Sequence, residues 1–217
     1  MSALPVEKRY TPAEYLALEE VAATKSEYIN GRIYAMVGAS FPHIVITGNT
    51  FREIGNRLET SDCEAYTSDM RVKIGASGSY VYPDITISCG EQQFDSTGSA
   101  TLLNPTVIIE VLSPSTEAFD RGDKFAHYRL IPSLQEYVLI SQHRVCVELF
   151  SRDIARGETV WSYSALEDLE AVLHLASIGC YLPLRAIYRK VEFPHKEAEK
   201  ESEKDSKEEN QEALSEH

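Results

Sequence analysis

The chain has 217 residues, 43% of them hydrophobic and 25% charged, which suits one globular domain with a sizeable core. A net charge of −13 makes it a poor binder of polyanions unless positive side chains gather locally. No apolar run nears the roughly 20 residues of a membrane span. Residues 1–10 hold no apolar core of a secretory signal, so a cytoplasmic protein with no membrane attachment is expected.

Charge is uneven along the chain. Nine acids and four lysines between 194 and 217 carry a net −5, leaving −8 on residues 1–193. That last segment has one Leu and no aromatic residue, so it is read as a charged tail, disordered or a solvated helix, behind a folded domain of 1–193. Cys63, Cys89, Cys146 and Cys180 show neither paired zinc-site spacing nor a disulfide framework, and single buried thiols are expected.

In chain order, Thr11-Pro12-Ala13-Glu14 predicts a helix start, with Thr as cap, Pro in the first position and Glu closing a capping box. Tyr15, Leu16 and Leu18 are its apolar side. Asn30-Gly31 between two apolar runs predicts a two-residue hairpin turn. Residues 40–59 read as a long helix with Ile44, Thr47, Phe51, Ile54 and Leu58 on its inner face. Strands are expected over 64–74 and 80–88, then a loop over 90–104. Val107 to Leu112 is an apolar strand of the kind buried on both faces. A helix over 120–131 follows, then strands near 136–141, 144–151 and 159–164 and a short helix within 182–188. This order predicts an α/β or α+β fold, a mixed sheet flanked by helices with extra hairpins at both ends.

Glu110 interrupts that apolar strand. A carboxylate there carries a desolvation cost of several kcal/mol unless something positive faces it, and proteins keep such a group for metal binding or proton chemistry. Asp84 lies 26 residues earlier, on the polar face of 80–88 with Tyr82, Thr86 and Ser88. If the two strands are neighbours, both carboxylates converge on one point, and hard oxygen ligands there suit Mg²⁺ or Mn²⁺. A purely structural ion pair for Glu110 is the alternative.

Several stretches together resemble a known family. Pro83-Asp84, the run Ile109 to Thr116, and the run Asp120 to Arg129 are similar to the Uma-type endonucleases, a bacterial group within the PD-(D/E)XK restriction-endonuclease-like nucleases. Glu27 to Gly31, Ser68 to Val72 and Tyr137 to Ile140 also match, so the resemblance spans nearly all of 10–188. It implies a helix-strand-strand-strand-helix-strand core, with Asp84 and Glu110 as metal ligands. The superfamily's lysine belongs two residues after the Glu, where this chain has Leu112. The resemblance implies that the amine has moved to Lys124 on the next helix, in its first turn if Asp120 is the cap.

That resemblance implies a metal-dependent endonuclease acting on DNA. Asp84, Glu110 and the Val111 carbonyl would hold one or two Mg²⁺ or Mn²⁺ ions, and Lys124 would orient water or stabilise the oxyanion. Arg71, Lys73, Arg121, Lys124 and Arg129 are the candidates for offsetting the acidic charge, and a homodimer is expected by analogy. His43, Asp69 and Glu27 are secondary candidates, weighed against a half-buried histidine, a strand residue paired with Arg71, and a hairpin residue. Ser113 and Ser115 are read as holding their loop through local bonds. The rival from another class is a binding or scaffold module with a vestigial site, linked to mobile-element proteins or to itself.

Overall fold

The computed structural model describes residues 8–36, 38–75, 78–96, 100–114, 116–153 and 160–193. The charged tail, Ser115 and Thr159 lie outside them. Helix α1 (Pro12–Val21) carries the capping box: Thr11 Oγ1 accepts from the Glu14 N–H at 3.2 Å, and Glu14 Oε2 accepts from the Thr11 N–H at 2.7 Å. Strands β1 (Ser26–Ile29) and β2 (Arg32–Ala35) pair antiparallel across a turn in which Asn30 (φ 50°) and Gly31 (φ 85°) are both left-handed. A type I′ turn requires that pair of conformations.

Helix α2 (Phe41–Leu58) is capped by Ser40, and its inner face is rotated from the expected one. Ile46, Asn49, Thr50, Ile54 and Leu58 are buried, while Ile44 is 57% exposed. Asn49 takes an interior position because its amide donates to the Ile187 and Arg189 carbonyls at 3.0 and 2.7 Å. A polar residue is therefore satisfied inside.

Each of the two long strands expected next is broken. The first becomes β3 (Cys63–Thr67) and β4 (Arg71–Ile74), separated by a turn closed by the Met70 N–H on the Thr67 carbonyl at 2.9 Å. The second becomes β5 (Ser79–Val81) and β6 (Ile85–Cys89), separated at Tyr82-Pro83-Asp84, where proline has no N–H for the ladder. The breaks matter because the halves join different sheets. Strand β7 (Thr101–Leu102) lies in the expected loop and pairs parallel with β4. Beyond it come β8 (Val107–Leu112), a helical segment made of α3 (Glu117–Phe119), a π turn (Asp120–Lys124) and α4 (Phe125–Tyr128), then β9 (Glu136–Ser141), β10 (Val147–Asp153) and β11 (Val160–Leu166). A hairpin of β12 (Val172–Leu175) and β13 (Cys180–Pro183) precedes α5 (Leu184–Ile187). No helix among the described residues is long and apolar enough to cross a membrane.

The mixed α+β architecture thus has two mixed sheets and a small hairpin rather than one sheet: β2-β1-β5-β4-β7 and β11-β10-β9-β8-β6-β3. Strand β8 is interior, antiparallel to β6 and parallel to β9, and every one of its residues is buried. Val107, Ile109 and Val111 pack with Ile46 and Ile54 of α2; Ile108 and Leu112 join a second core with Val72, Val81 and Tyr137. Glu110 alternates onto this second side, which faces the first sheet.

One cysteine expectation is overturned. Cys63 and Cys89 are directly opposed on β3 and β6 and form a disulfide, because two separately predicted strands turn out to be neighbours. Cys146 and Cys180 are buried free thiols, as expected.

The β1–β2 turn is the most easily tested local feature. Gly31→Ala forces a side chain into φ 85° and puts Cβ 3.1 Å from Arg9 Cδ. Urea denaturation is expected to show a loss of about 1–2 kcal/mol; an unchanged midpoint would mean that the turn does not constrain the hairpin.

Candidate active site

The pairing of Ile85 with Ile109 sets Asp84 opposite Glu110 where β6 begins. Asp84 is fixed from both ends. Its N–H donates to Glu110 Oε2 at 3.3 Å, and its Oδ2 accepts the Val111 N–H at 2.7 Å. His43, in the first turn of α2, brings Nε2 within 3.1 Å of the same Oδ2. Glu110 Oε1 accepts from the Tyr128 hydroxyl at 2.7 Å and lies 2.9 Å from Lys124 Nζ. Lys124 also reaches Glu27 Oε1 at 3.1 Å and Asp120 Oδ1 at 3.6 Å. Glu27 Oε1 accepts the Tyr82 N–H at 3.1 Å, which ties β1 to the segment that delivers Asp84.

The helix that delivers Lys124 differs from its expected form. It begins at Glu117 rather than Asp120, and Lys124 closes a π turn instead of lying in a first turn. Asp120 is therefore a buried partner of Lys124 and not a cap, and the helix N-terminus lends less positive charge than anticipated. The Tyr137 hydroxyl donates to the Asp120 carbonyl at 3.1 Å within that turn.

Charge in this cluster is unbalanced. Glu27, Asp84, Glu110 and Asp120 face one lysine and one histidine, and a single ammonium offsets only one carboxylate fully. Burial, opposed by Lys124 and reinforced by Asp84, Asp120 and Glu27, pushes the Glu110 pKa up to about 8. Asp120 is raised for the same first reason, with Lys124 and the Thr116 hydroxyl opposing. Burial works against the charged form of Lys124, but Glu110, Glu27 and Asp120 outweigh it and hold the pKa well above the usual lysine value. Burial likewise works to lower His43; bonds to the Asp84 carboxylate and the Val111 carbonyl leave it raised. Tyr128 and Tyr137 are pushed up by burial and by Glu110, so both hydroxyls stay donors.

The two carboxylates and the Val111 carbonyl are hard oxygen donors of the kind Mg²⁺ and Mn²⁺ take. Among the described residues no three of His, Cys, Asp and Glu gather into a ready-made metal cluster. An ion here would draw further ligands from backbone and water, which suits Mg²⁺, and the surplus of buried acid favours a cation.

Glu27 and His43, secondary in the sequence, stand beside the acids, whereas Asp69 does not. Asp69 lies in the turn after β3, its side chain 83% exposed, paired with Lys25 and not with Arg71. Three of the five expected DNA-facing cations are engaged elsewhere: Arg71 with Thr101 at 2.9 Å, Lys73 with Asp95 at 2.6 Å, and Arg121 with Glu117 and Glu148. Arg129 is exposed, and Leu112 is buried in the second core. Ser113 Oγ shares a hydrogen bond with Thr116 Oγ1 at 2.9 Å, a local loop bond. The sequence reading missed Tyr128 and the inward role of Asp120. Their spacing of four on either side of Lys124 was the available signal.

A model of the Uma2 family, described as "putative restriction endonuclease", matches residues 12–184. Two uncharacterized Synechocystis proteins are similar: slr1290, 38% identical over 85% of this chain and 94% of its own, and sll1609, 41% identical over 76% and 92%. A crystal structure from Anabaena variabilis, described as a "putative nuclease belonging to DUF820", superposes with a TM-score of 0.68 at 19% identity, covering 82% of this chain and 97% of its own. That likeness shows the restriction-endonuclease-like fold.

The raised Glu110 pKa makes stability depend on pH. Its folded value lies above the ordinary 4.5, so the folded state holds more protons between about 4.5 and 8 and stability falls as pH rises through that window. Glu110→Gln removes the loss. Thermal melts of metal-free protein are expected to show the variant gaining on wild type from pH 5 to pH 8; a constant difference would mean that Glu110 ionises freely.

Proposed function

The chain belongs to the Uma2 family, and on that footing we propose that it is a metal-dependent endonuclease hydrolysing phosphodiester bonds of DNA. The observation that carries the reading is Glu110: a carboxylate buried on a central strand, beside Asp84 and an amine, in a pocket with more acid than base. Asp84, Glu110 and the Val111 carbonyl are the proposed ligands of one or two Mg²⁺ or Mn²⁺ ions. When bound, such an ion supplies a water of lowered pKa and offsets charge growing on the scissile phosphate.

The chain's own residues hold that arrangement. The Val111 N–H and His43 orient the Asp84 carboxylate before any substrate arrives. Lys124 is the proposed catalytic lysine, the cation set against Glu110; by exchanging the Glu27 or Asp120 contact for a phosphoryl oxygen it would stabilise developing charge. Arg129 remains an exposed cation for the DNA backbone. Cutting both strands of a duplex calls for two such sites, so the reading includes a homodimer.

The competing reading, a nuclease-fold binding module without catalysis, draws support from the engagement of Lys124 by three carboxylates. Nicking of supercoiled plasmid in Mn²⁺ separates the two. Wild type is expected to nick, Asp84→Ala to lose about 10²-fold or more, and Lys124→Met to fall at least about tenfold. Nicking that survives Asp84→Ala marks a contaminant and favours the binding module.

A further inference from the structure

The two oxygens of Glu110 keep different company. Oε1 receives the Tyr128 hydroxyl at 2.7 Å and the Lys124 ammonium at 2.9 Å, which fills both its lone pairs. Oε2 receives the Asp84 N–H at 3.3 Å and keeps acceptor capacity on the Asp84 side. Tyr128 has no freedom to seek another acceptor. It is 0% exposed, its ring lies 5.2 Å from that of Tyr137, and Lys124 Nζ sits 6.0 Å from its centroid.

We propose that Tyr128 is a positioning residue of the site, holding the Glu110 carboxylate so that Oε2 is the oxygen presented to a divalent ion beside Asp84. This rests on the nuclease reading and extends it to a residue outside the proposed ligand set. The terminal torsion of a glutamate is broad and roughly two-fold, so the carboxylate does not choose an oxygen by itself. Lys124 alone does not fix the choice either, because its ammonium is shared with Glu27 and Asp120. The directed O–H of a rigid ring does. Removing it frees a lone pair on Oε1 and lets the carboxylate turn away from the ion, which weakens ion binding.

The test is Mn²⁺ binding to the full chain, followed by electron paramagnetic resonance without DNA. Tyr128→Phe is expected to bind Mn²⁺ about tenfold more weakly, the worth of one hydrogen bond to a charged group. Tyr15→Phe, which removes another buried hydroxyl, bonded to the Ser26 carbonyl at 2.6 Å, is expected to match wild type. Wild-type affinity in Tyr128→Phe overturns the proposal and leaves the nuclease reading standing. Mn²⁺ binding that is absent in wild type, or unchanged by Glu110→Gln, overturns both. Should Tyr128→Phe fail to fold, a wild-type crystal soaked in Mn²⁺ decides. An ion on Oε2 with Tyr128 still on Oε1 supports the proposal, and an ion on Oε1 overturns it.

Discussion

A carboxylate on an interior strand, balanced by one amine, is the constraint around which this structure is arranged. Strand β8 is covered on both faces, so Glu110 is largely withdrawn from bulk water and must find its partners within the protein. They arrive from two separate places, Asp84 from the link between the sheets and Lys124 and Tyr128 from the helix after β8, while Glu27 of the first sheet holds Lys124 from its other side. Leaving a buried charge unpartnered costs roughly 3–5 kcal/mol, a large part of a domain's net stability. The seam between the two sheets is thus also where the fold is most sensitive to charge.

That sensitivity explains which features were legible in the sequence. Glu110 stood out because a charge among aliphatic residues violates a pattern, and Asp84 because it falls on the polar face of an expected strand of alternating polarity. The capping box of α1 and the Asn30-Gly31 turn are local devices whose geometry is written in adjacent residues. What stayed hidden depends on neighbours distant in the chain. The split of 64–74 and 80–88 into halves serving two sheets, and the opposition of Cys63 and Cys89, follow from strand partners that no local pattern names. The burial of Asn49 stayed hidden because its acceptors, the Ile187 and Arg189 carbonyls, come from the far end of the domain.

The same logic separates the cations. By type alone Arg71, Lys73 and Arg121 looked available to a polyanion, yet each has a partner of its own. Field at a cleft depends on charge left after such pairing and not on the count of basic residues. Lys124 and His43 are each held by carboxylates of the pocket, so a phosphate backbone approaching it unaided finds little free positive charge. Under the proposed reading, a divalent ion on the two acids would reverse that locally. That would tie DNA binding and chemistry to the same loading event and would suit a domain whose overall charge is −8.

The Lys124–Glu110 contact shows how backbone geometry brings an amine from a later element to a strand carboxylate. In the superfamily pattern, the residue two after the Glu shares its strand face; here that side chain, Leu112, is spent on the second core. The helix supplies the cation instead, but an uninterrupted α-helix displaces residues eight apart by about 80° around its axis. Asp120 and Tyr128 would then be splayed by that angle, although each would still neighbour Lys124. The wider π turn from Asp120 to Lys124 takes up that excess, and the Tyr137 hydroxyl on the Asp120 carbonyl anchors it. Acid, amine and phenol can therefore all point at one carboxylate. Lys124 belongs to a helix face whose register is set by a backbone irregularity, so its place beside Glu110 depends on that turn as much as on the identity of the residues the turn carries.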